Sequence, residues 1–173
     1  KNMWILLVIL LLLVGLAYGI GGERVNRQPV TAFDIQRYMG TWHEIARYDH
    51  SFERGLVEVR AIYRFVENGR VEVLNCGVNT ITRELQTARG KAKTTAITGR
   101  LRVSFFWVFY TDYNVLELGE EYDWALVGSH SAKYLWILAR SPTLPTATLN
   151  HILLLAEKRG YNVDKLLFPD PEV

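Results

Sequence analysis

Cysteine is almost absent: Cys76 is the only one in 173 residues, so no disulfide can form within the chain. An exported domain built this way holds together by its core alone, which is commoner in bacterial envelopes than in animal secretions. No N-x-S/T site, low-complexity tract or repeat with a period of 20 to 50 residues occurs. Charge of one sign is not in excess either. The 20 Lys and Arg less Lys1 leave 19, against 18 Asp and Glu from Glu23 onward, so there is no electrostatic footprint for nucleic acid. Also missing are the G-x-S-x-G turn, His/Cys zinc spacing and a Gly-rich phosphate loop, which removes the commonest catalytic and cofactor signatures. No cofactor is expected.

The one long apolar run is terminal. Trp4 to Ile20 is 17 residues without a charge, behind the basic Lys1. It reads as a secretory signal, with small Ala17 and Gly19 before a cleavage point, or as an uncleaved membrane anchor. No Cys follows it, so a lipid-modified N-terminus is not supported. Either alternative divides the chain into residues 1–22, signal or anchor, and one exported domain over residues 23–173.

That domain reads as strands. Short alternating runs are broken by turn residues every ten or so positions, the pattern of an antiparallel barrel or sandwich. The runs are Thr41–Asp49, Leu56–Val66, Arg70–Asn79, Leu85–Thr95, Arg100–Tyr110, Thr111–Leu118, Tyr122–Gly128 and Lys133–Arg140. Asn68–Gly69 suits a hairpin turn because both residues tolerate positive φ. Val57, Val59, Ala61, Tyr63 and Phe65 share one face of the second run, and Val71, Val73, Asn75 and Gly77 one face of the third. Short connections throughout predict an all-β, eight-stranded, up-and-down meander. A helix follows over Pro145–Arg159, with Leu149, Ile152, Leu153 and Ala156 forming an apolar stripe that packs outside the barrel. "YNVDKLLF" after it predicts a short ninth strand at the barrel edge. Eight strands leave room inside either for filling side chains or for one small ligand, and small residues on the inner face favour a cavity.

Three short elements then carry a resemblance. Gly40-Thr41-Trp42 opens the first strand, Thr111-Asp112-Tyr113 precedes the sixth, and Arg140 ends "YLWILAR". In this order and spacing they resemble the signature of the lipocalin family, and "FDIQRYMG" resembles its helical lid. "YMGTWHEIARYDHSFERGL", "VSFF" and "YNVL" bring the chain close to the bacterial outer-membrane members and their animal relatives, over about residues 30 to 168. One departure is that those bacterial members carry a lipid-modified Cys after the signal, and this chain has none there.

The resemblance implies a calyx in which Arg140 stacks on Trp42 to plug the closed end. Trp42 is then structural and does not meet ligand. It also implies a fatty acid or lysophospholipid as ligand, a periplasmic or outer-membrane setting, and a capacity to form homodimers. If Trp42 and Arg140 point inward, alternation points the same way for Val59, Ala61, Tyr63, Val73, Asn75, Val103 and Phe105. The same holds for Tyr134, Trp136 and Leu138, and, unless a bulge intervenes, for Tyr113, Val115 and Glu117. Glu117 would then meet an amine headgroup. Phe52 and Leu56 in "DHSFERGL" are candidates for first contact with a membrane surface or ligand. Two other readings compete. Cys76 could serve an isomerase or redox lipocalin, although alternation turns it out of the barrel. A filled barrel would make a structural envelope protein. A metal is not expected: about 3.3 Å per residue sets His43 and His50 roughly 20 Å apart.

Overall fold

The computed structural model describes residues 24–66, 70–106 and 109–169. The apolar segment 1–22, the Asn68–Gly69 turn and part of the predicted strand 100–110 lie outside the described residues. Nine strands form one sheet: β1 (Gly40–Tyr48), β2 (Leu56–Phe65), β3 (Val71–Asn79), β4 (Leu85–Thr94), β5 (Arg100–Phe106), β6 (Phe109–Leu118), β7 (Trp124–Gly128), β8 (Leu135–Ala139) and β9 (Leu166–Leu167). Each of the first seven pairs antiparallel with the next, and β1 pairs with both β8 and β2, closing the barrel. The up-and-down architecture expected from the turn spacing is therefore present, and β9 adds to the free stretch of β1 at Arg47 and Tyr48.

One boundary differs. Residues 100–110 are not a single strand: β5 ends at Phe106, which is in register with Phe109, so β6 begins at Phe109 and Thr111-Asp112-Tyr113 lies within it, opposite Val103, Arg102 and Leu101. Polar Thr and Asp look unlike strand residues, but pairing with β5 absorbs them.

Two cores follow from the strand alternation. Inside the closed end pack Trp42, Tyr63, Val73, Leu101, Val115, Val127 and Leu138. On the outer face Ala46, Leu116, Leu126, Leu135 and Ile137 pack against helix α2 (Thr146–Lys158) through Ile152 and Ala156, both fully buried. Removing about 2–5 kcal/mol by cutting such a side chain to Ala is typical, so this helix is a structural clasp and not an unpartnered face. Gly160 ends it at φ +91°, as its position past the last turn requires.

Four register shifts interrupt the simple alternation among the described residues, one of them in β5 between Val103 and Phe106 and the other three in β1, β2 and β6. Glu58 sits at φ +50° between Val57 and Arg60, and the extra residue takes Val57 off the inner face. Ile45 interrupts β1 between Glu44 and Ala46, and Leu116 interrupts β6 between Val115 and Glu117. Each of these three flips the residues beyond it.

Candidate functional site

The floor of the barrel is built by a short helix, α1 (Ile35–Tyr38), started by the Asp34 side chain accepting from Gln36 N at 2.8 Å. It delivers Tyr38, fully buried, against the Trp42 ring with centroids 4.7 Å apart. Trp42 Nε1 donates to Tyr38 O at 2.8 Å. Arg140 covers the other face, its guanidinium carbon 3.9 Å from the ring centroid, and donates to the carbonyls of Thr41, Arg37 and Tyr122. Gly40, at φ +98°, is needed there: a Cβ would stand 3.2 Å from Arg140 Nη1. The loop 119–123, and not Thr111-Asp112-Tyr113, is what meets Arg140 at this end. Tyr113 reaches the floor from above, its hydroxyl 2.6 Å from that of Tyr38, and burial pushes the neighbouring Tyr63 phenol up to about 12.

Above this floor lies a cavity with about 690 Å³ free of protein atoms, the open space at its mouth included. Nine of the residues expected on the inner face line it: Val59, Ala61, Tyr63, Asn75, Val103, Phe105, Tyr113, Trp136 and Leu138. Trp42 also lines it, so the plug is the cavity floor as well, contrary to the expectation that it stays clear of ligand space. Val73 and Val115 point inward but are packed in the closed-end core, 1% and 0% exposed. Tyr134 stands beside Trp136 with the two rings near parallel, 10° and 5.9 Å apart.

Glu117 is the clear miss. Beyond the Leu116 bulge it faces Leu126, an outer-face residue, and its Oε1 accepts from Arg159 Nε at 2.8 Å. It is a clamp between barrel and helix and cannot meet a headgroup inside. Cys76, turned outward by alternation, is buried and is not part of the cavity wall.

What the sequence reasoning missed is a charged group inside the barrel. Glu44 is on the inner face, and the Ile45 bulge brings Arg47 round to join it. The loop 49–55 folds back so that His50 and Glu53 enter from the mouth side. Arg47 Nη1 pairs with Glu44, and Arg47 Nη2 donates to Glu53 O at 2.9 Å. His50 Nε2 lies 2.8 Å from Glu53 Oε2, which also accepts from Trp136 Nε1 at 3.2 Å. Burial and the Glu53 charge, working against Arg47, push the Glu44 carboxyl up to about 8. Burial disfavours ionised Glu53 too, but His50, Trp136 and Glu44 outweigh it and hold that carboxyl below the usual range. Glu44 at two residues from Trp42 was the available signal. The loop residues gave none, because only the fold returns them to the barrel.

Among the described residues no group of His, Cys, Asp and Glu is arranged to hold a metal, and no helix is long and apolar enough to cross a membrane.

A closed antiparallel barrel, plugged at one end by a stacked Trp–Arg pair and hollow above it, is a calyx. The chain belongs to the lipocalin family: the model of the lipocalin-like domain matches residues 33–171. It is similar to the outer membrane lipoprotein Blc of Citrobacter freundii, 45% identical over 141 residues and 80% of each chain. The Blc of Vibrio cholerae serotype O1 is 38% identical over 164 residues, 93% of this chain and 96% of that one. In fold it matches insecticyanin from the tobacco hornworm Manduca sexta, with TM-score 0.73 at 20% identity over 87% of both chains. Membership supports binding or transport of a hydrophobic ligand in general terms, and the Blc relatives support an exported, envelope setting.

Proposed function

We propose that this protein binds and carries a fatty acid or lysophospholipid in the bacterial envelope, by uptake and release without chemistry. The observation that carries the reading is the interior cavity, walled by Val59, Ala61, Val103, Phe105, Trp136 and Leu138. Such a wall suits an acyl chain, each buried CH₂ of which is worth about 0.8 kcal/mol, enough over a long chain to offset the cost of association. Catalysis by Cys76 finds no support, since its thiol is away from the cavity.

The mouth favours exchange with a membrane surface. Phe52 on the loop 49–55 and Ile81 on the loop 80–84 are 72% and 89% exposed, and the loops are tied by Thr80 N donating to Gly55 O at 2.9 Å. Leu85 beside them is also exposed, whereas Leu56 is half-buried.

The test is native mass spectrometry of the domain from residue 22 onward, made in bacteria and purified without detergent, with identification of any bound lipid. A bound fatty acid or lysophospholipid supports the reading. An empty barrel whose tryptophan fluorescence does not respond to lysophospholipid overturns it.

A further inference from the structure

Charge that nearly balances along the chain is sorted by the fold. Helix α2 covers the outer face of β1 and β6–β8, through Ala46, Leu116, Leu126, Leu135 and Ile137, and leaves the outer face of β2–β5 bare. Val71, Val73, Leu101 and Val103 turn into the core, so alternation turns Arg64, Arg89, Lys91, Lys93, Arg100 and Arg102 out onto that bare face. Two carboxylates stand against these six cations. Glu72 pairs with Arg64 at 2.5 Å and with Arg89 at 3.0 Å, and Asp112 pairs with Arg102 at 3.4 Å. At the mouth end Arg60 with Glu58, and Arg83 with Glu84, cancel in charge. Lys91 and Lys93 are exposed and have no carboxylate partner among the described residues. Both ammonium groups lie over the Tyr110 ring, 5.6 and 4.3 Å from its centroid. Lys93 also stands directly opposite Arg102 in the β4–β5 ladder, where like charges cost stability.

We propose that this face, on the outside of the barrel, docks on an anionic lipid surface, with Lys91 and Lys93 at headgroup level and the mouth turned to the same bilayer. The docking goes beyond the carrier reading and holds whichever lipid the cavity takes. Phosphate groups supply the acceptors that the chain does not, and each lysine close to an anionic leaflet adds to attachment. The amphipathic Tyr110 ring beneath the two lysines suits the same depth. An apolar end on the same strand separates a bilayer from an acidic protein or a nucleic acid. β4 begins at the mouth with exposed Leu85, just after Ile81, which is 89% exposed. Those two side chains have nothing to enter on a purely polar partner, whereas a bilayer offers both an acyl layer and a charged surface. At about 3.3 Å per residue Leu85 lies roughly 20 Å from Lys91, so both touch one membrane when the barrel lies tilted on β4. The formal charge of the whole chain is only +2, so the attraction comes from this face and fixes the orientation.

The experiment is vesicle flotation of the domain from residue 22 onward, which holds the whole closed barrel and α2. The vesicles are phosphatidylcholine alone, or phosphatidylcholine with one third replaced by phosphatidylglycerol, each with and without added sodium chloride. Expected is at least tenfold stronger partition onto the phosphatidylglycerol vesicles, a gain that added salt abolishes. The double variant Lys91→Gln, Lys93→Gln should lose at least fivefold on those vesicles and nothing on phosphatidylcholine. A control, Arg24→Gln with Lys158→Gln, makes the same change in net charge at two exposed positions on the helix side and should lose less than twofold. Urea midpoints and uptake of lysophospholipid from solution, both unchanged in the lysine variant, separate loss of docking from loss of fold. Equal partition onto both kinds of vesicle, or equal losses in the two double variants, overturns the inference. So does lysine-dependent binding to immobilised polyglutamate without binding to vesicles, which assigns the face to an acidic protein. Uptake of lysophospholipid by the wild-type domain alongside any of these results leaves the carrier reading standing, and its absence removes that reading separately.

Discussion

The Arg140 guanidinium lies flat over Trp42, 3.9 Å from the ring centroid, while its nitrogens reach three carbonyls on three different segments, at Thr41, Arg37 and Tyr122. One side chain therefore ties β8 to β1, to α1 and to the loop 119–123, and holds the plug down at the same time. Lysine can supply the charge but not the planar fork. Arg140→Ala is expected to cost about 3 kcal/mol in urea unfolding, from the lost stacking and the carbonyls left without donors. Arg140→Lys should recover less than half of that. Recovery to wild type would mean that charge alone holds the closed end.

Glu117 and Arg159 join the barrel wall to the end of α2 at 2.8 Å, with side chains 28% and 14% exposed. Arg159 keeps other partners, Leu116 O and Gln28 O, when the carboxylate is removed. Glu117→Ala is therefore expected to lower stability by only about 1 kcal/mol and to leave lysophospholipid affinity unchanged. A tenfold loss of affinity would contradict the outward orientation.

These two pairs mark how far alternation alone carries. The barrel, the edge strand β9 and the outer helix were legible because their apolar residues recur with periods of 2 and 3.6. The Trp42–Arg140 plug was legible because a motif names its parts. Glu117 was not, because the single extra residue Leu116 reverses the count and leaves no trace in composition. The Glu44–Arg47–His50–Glu53 group was hidden for a related reason: a bulge at Ile45 turns Arg47 inward, and a loop that reads as solvent-facing folds back to bury His50 and Glu53. The strand break was placed after Tyr110, whereas pairing of Phe106 with Phe109 starts β6 earlier and sets Thr111-Asp112-Tyr113 inside it.

Stability should follow pH through the buried carboxyls, with opposite signs. Glu44 in the folded state is raised to about 8 from an ordinary 4.5, so the folded protein binds the extra proton and stability falls as pH rises through that window. Glu53 is depressed, so its contribution is present above the ordinary carboxylate range and fades as pH falls through its folded value. Glu44→Gln cannot ionise. Relative to wild type it is expected to gain stability between pH 5.5 and 8.5, with urea midpoints measured at both ends. Parallel profiles for the two proteins would show that Glu44 is ionised throughout.

Ala61 is a small, half-buried residue on the cavity wall, opposite Trp42 on β1 and Asn75 on β3. Ala61→Trp puts an indole into the open interior and not into packed core, so its expected cost is at most about 1 kcal/mol, at the mild end of overpacking. Uptake of every long-chain amphiphile should drop by more than tenfold, read by displacement of a fluorescent fatty-acid probe. Unchanged uptake would place the ligand outside the barrel.

The exposed rim separates capture from affinity. Phe52 and Ile81 stand on two hydrogen-bonded loops at the open end, and neither lines the cavity. If the rim enters the headgroup layer of a membrane, burying each side chain there supplies about 1.5–3 kcal/mol of attachment. Replacing both by Asp removes that attachment without altering the cavity wall. The double variant Phe52→Asp, Ile81→Asp is therefore expected to bind monomeric lysophospholipid as tightly as wild type, yet to extract it from vesicles at least tenfold more slowly. The check is a stopped-flow transfer assay at several vesicle concentrations: collisional extraction gives a rate that rises with vesicle concentration in wild type and much less in the variant. A rate that ignores vesicle concentration in both proteins would mean that lipid leaves the membrane on its own and is caught from water, and the rim would then have no part in exchange.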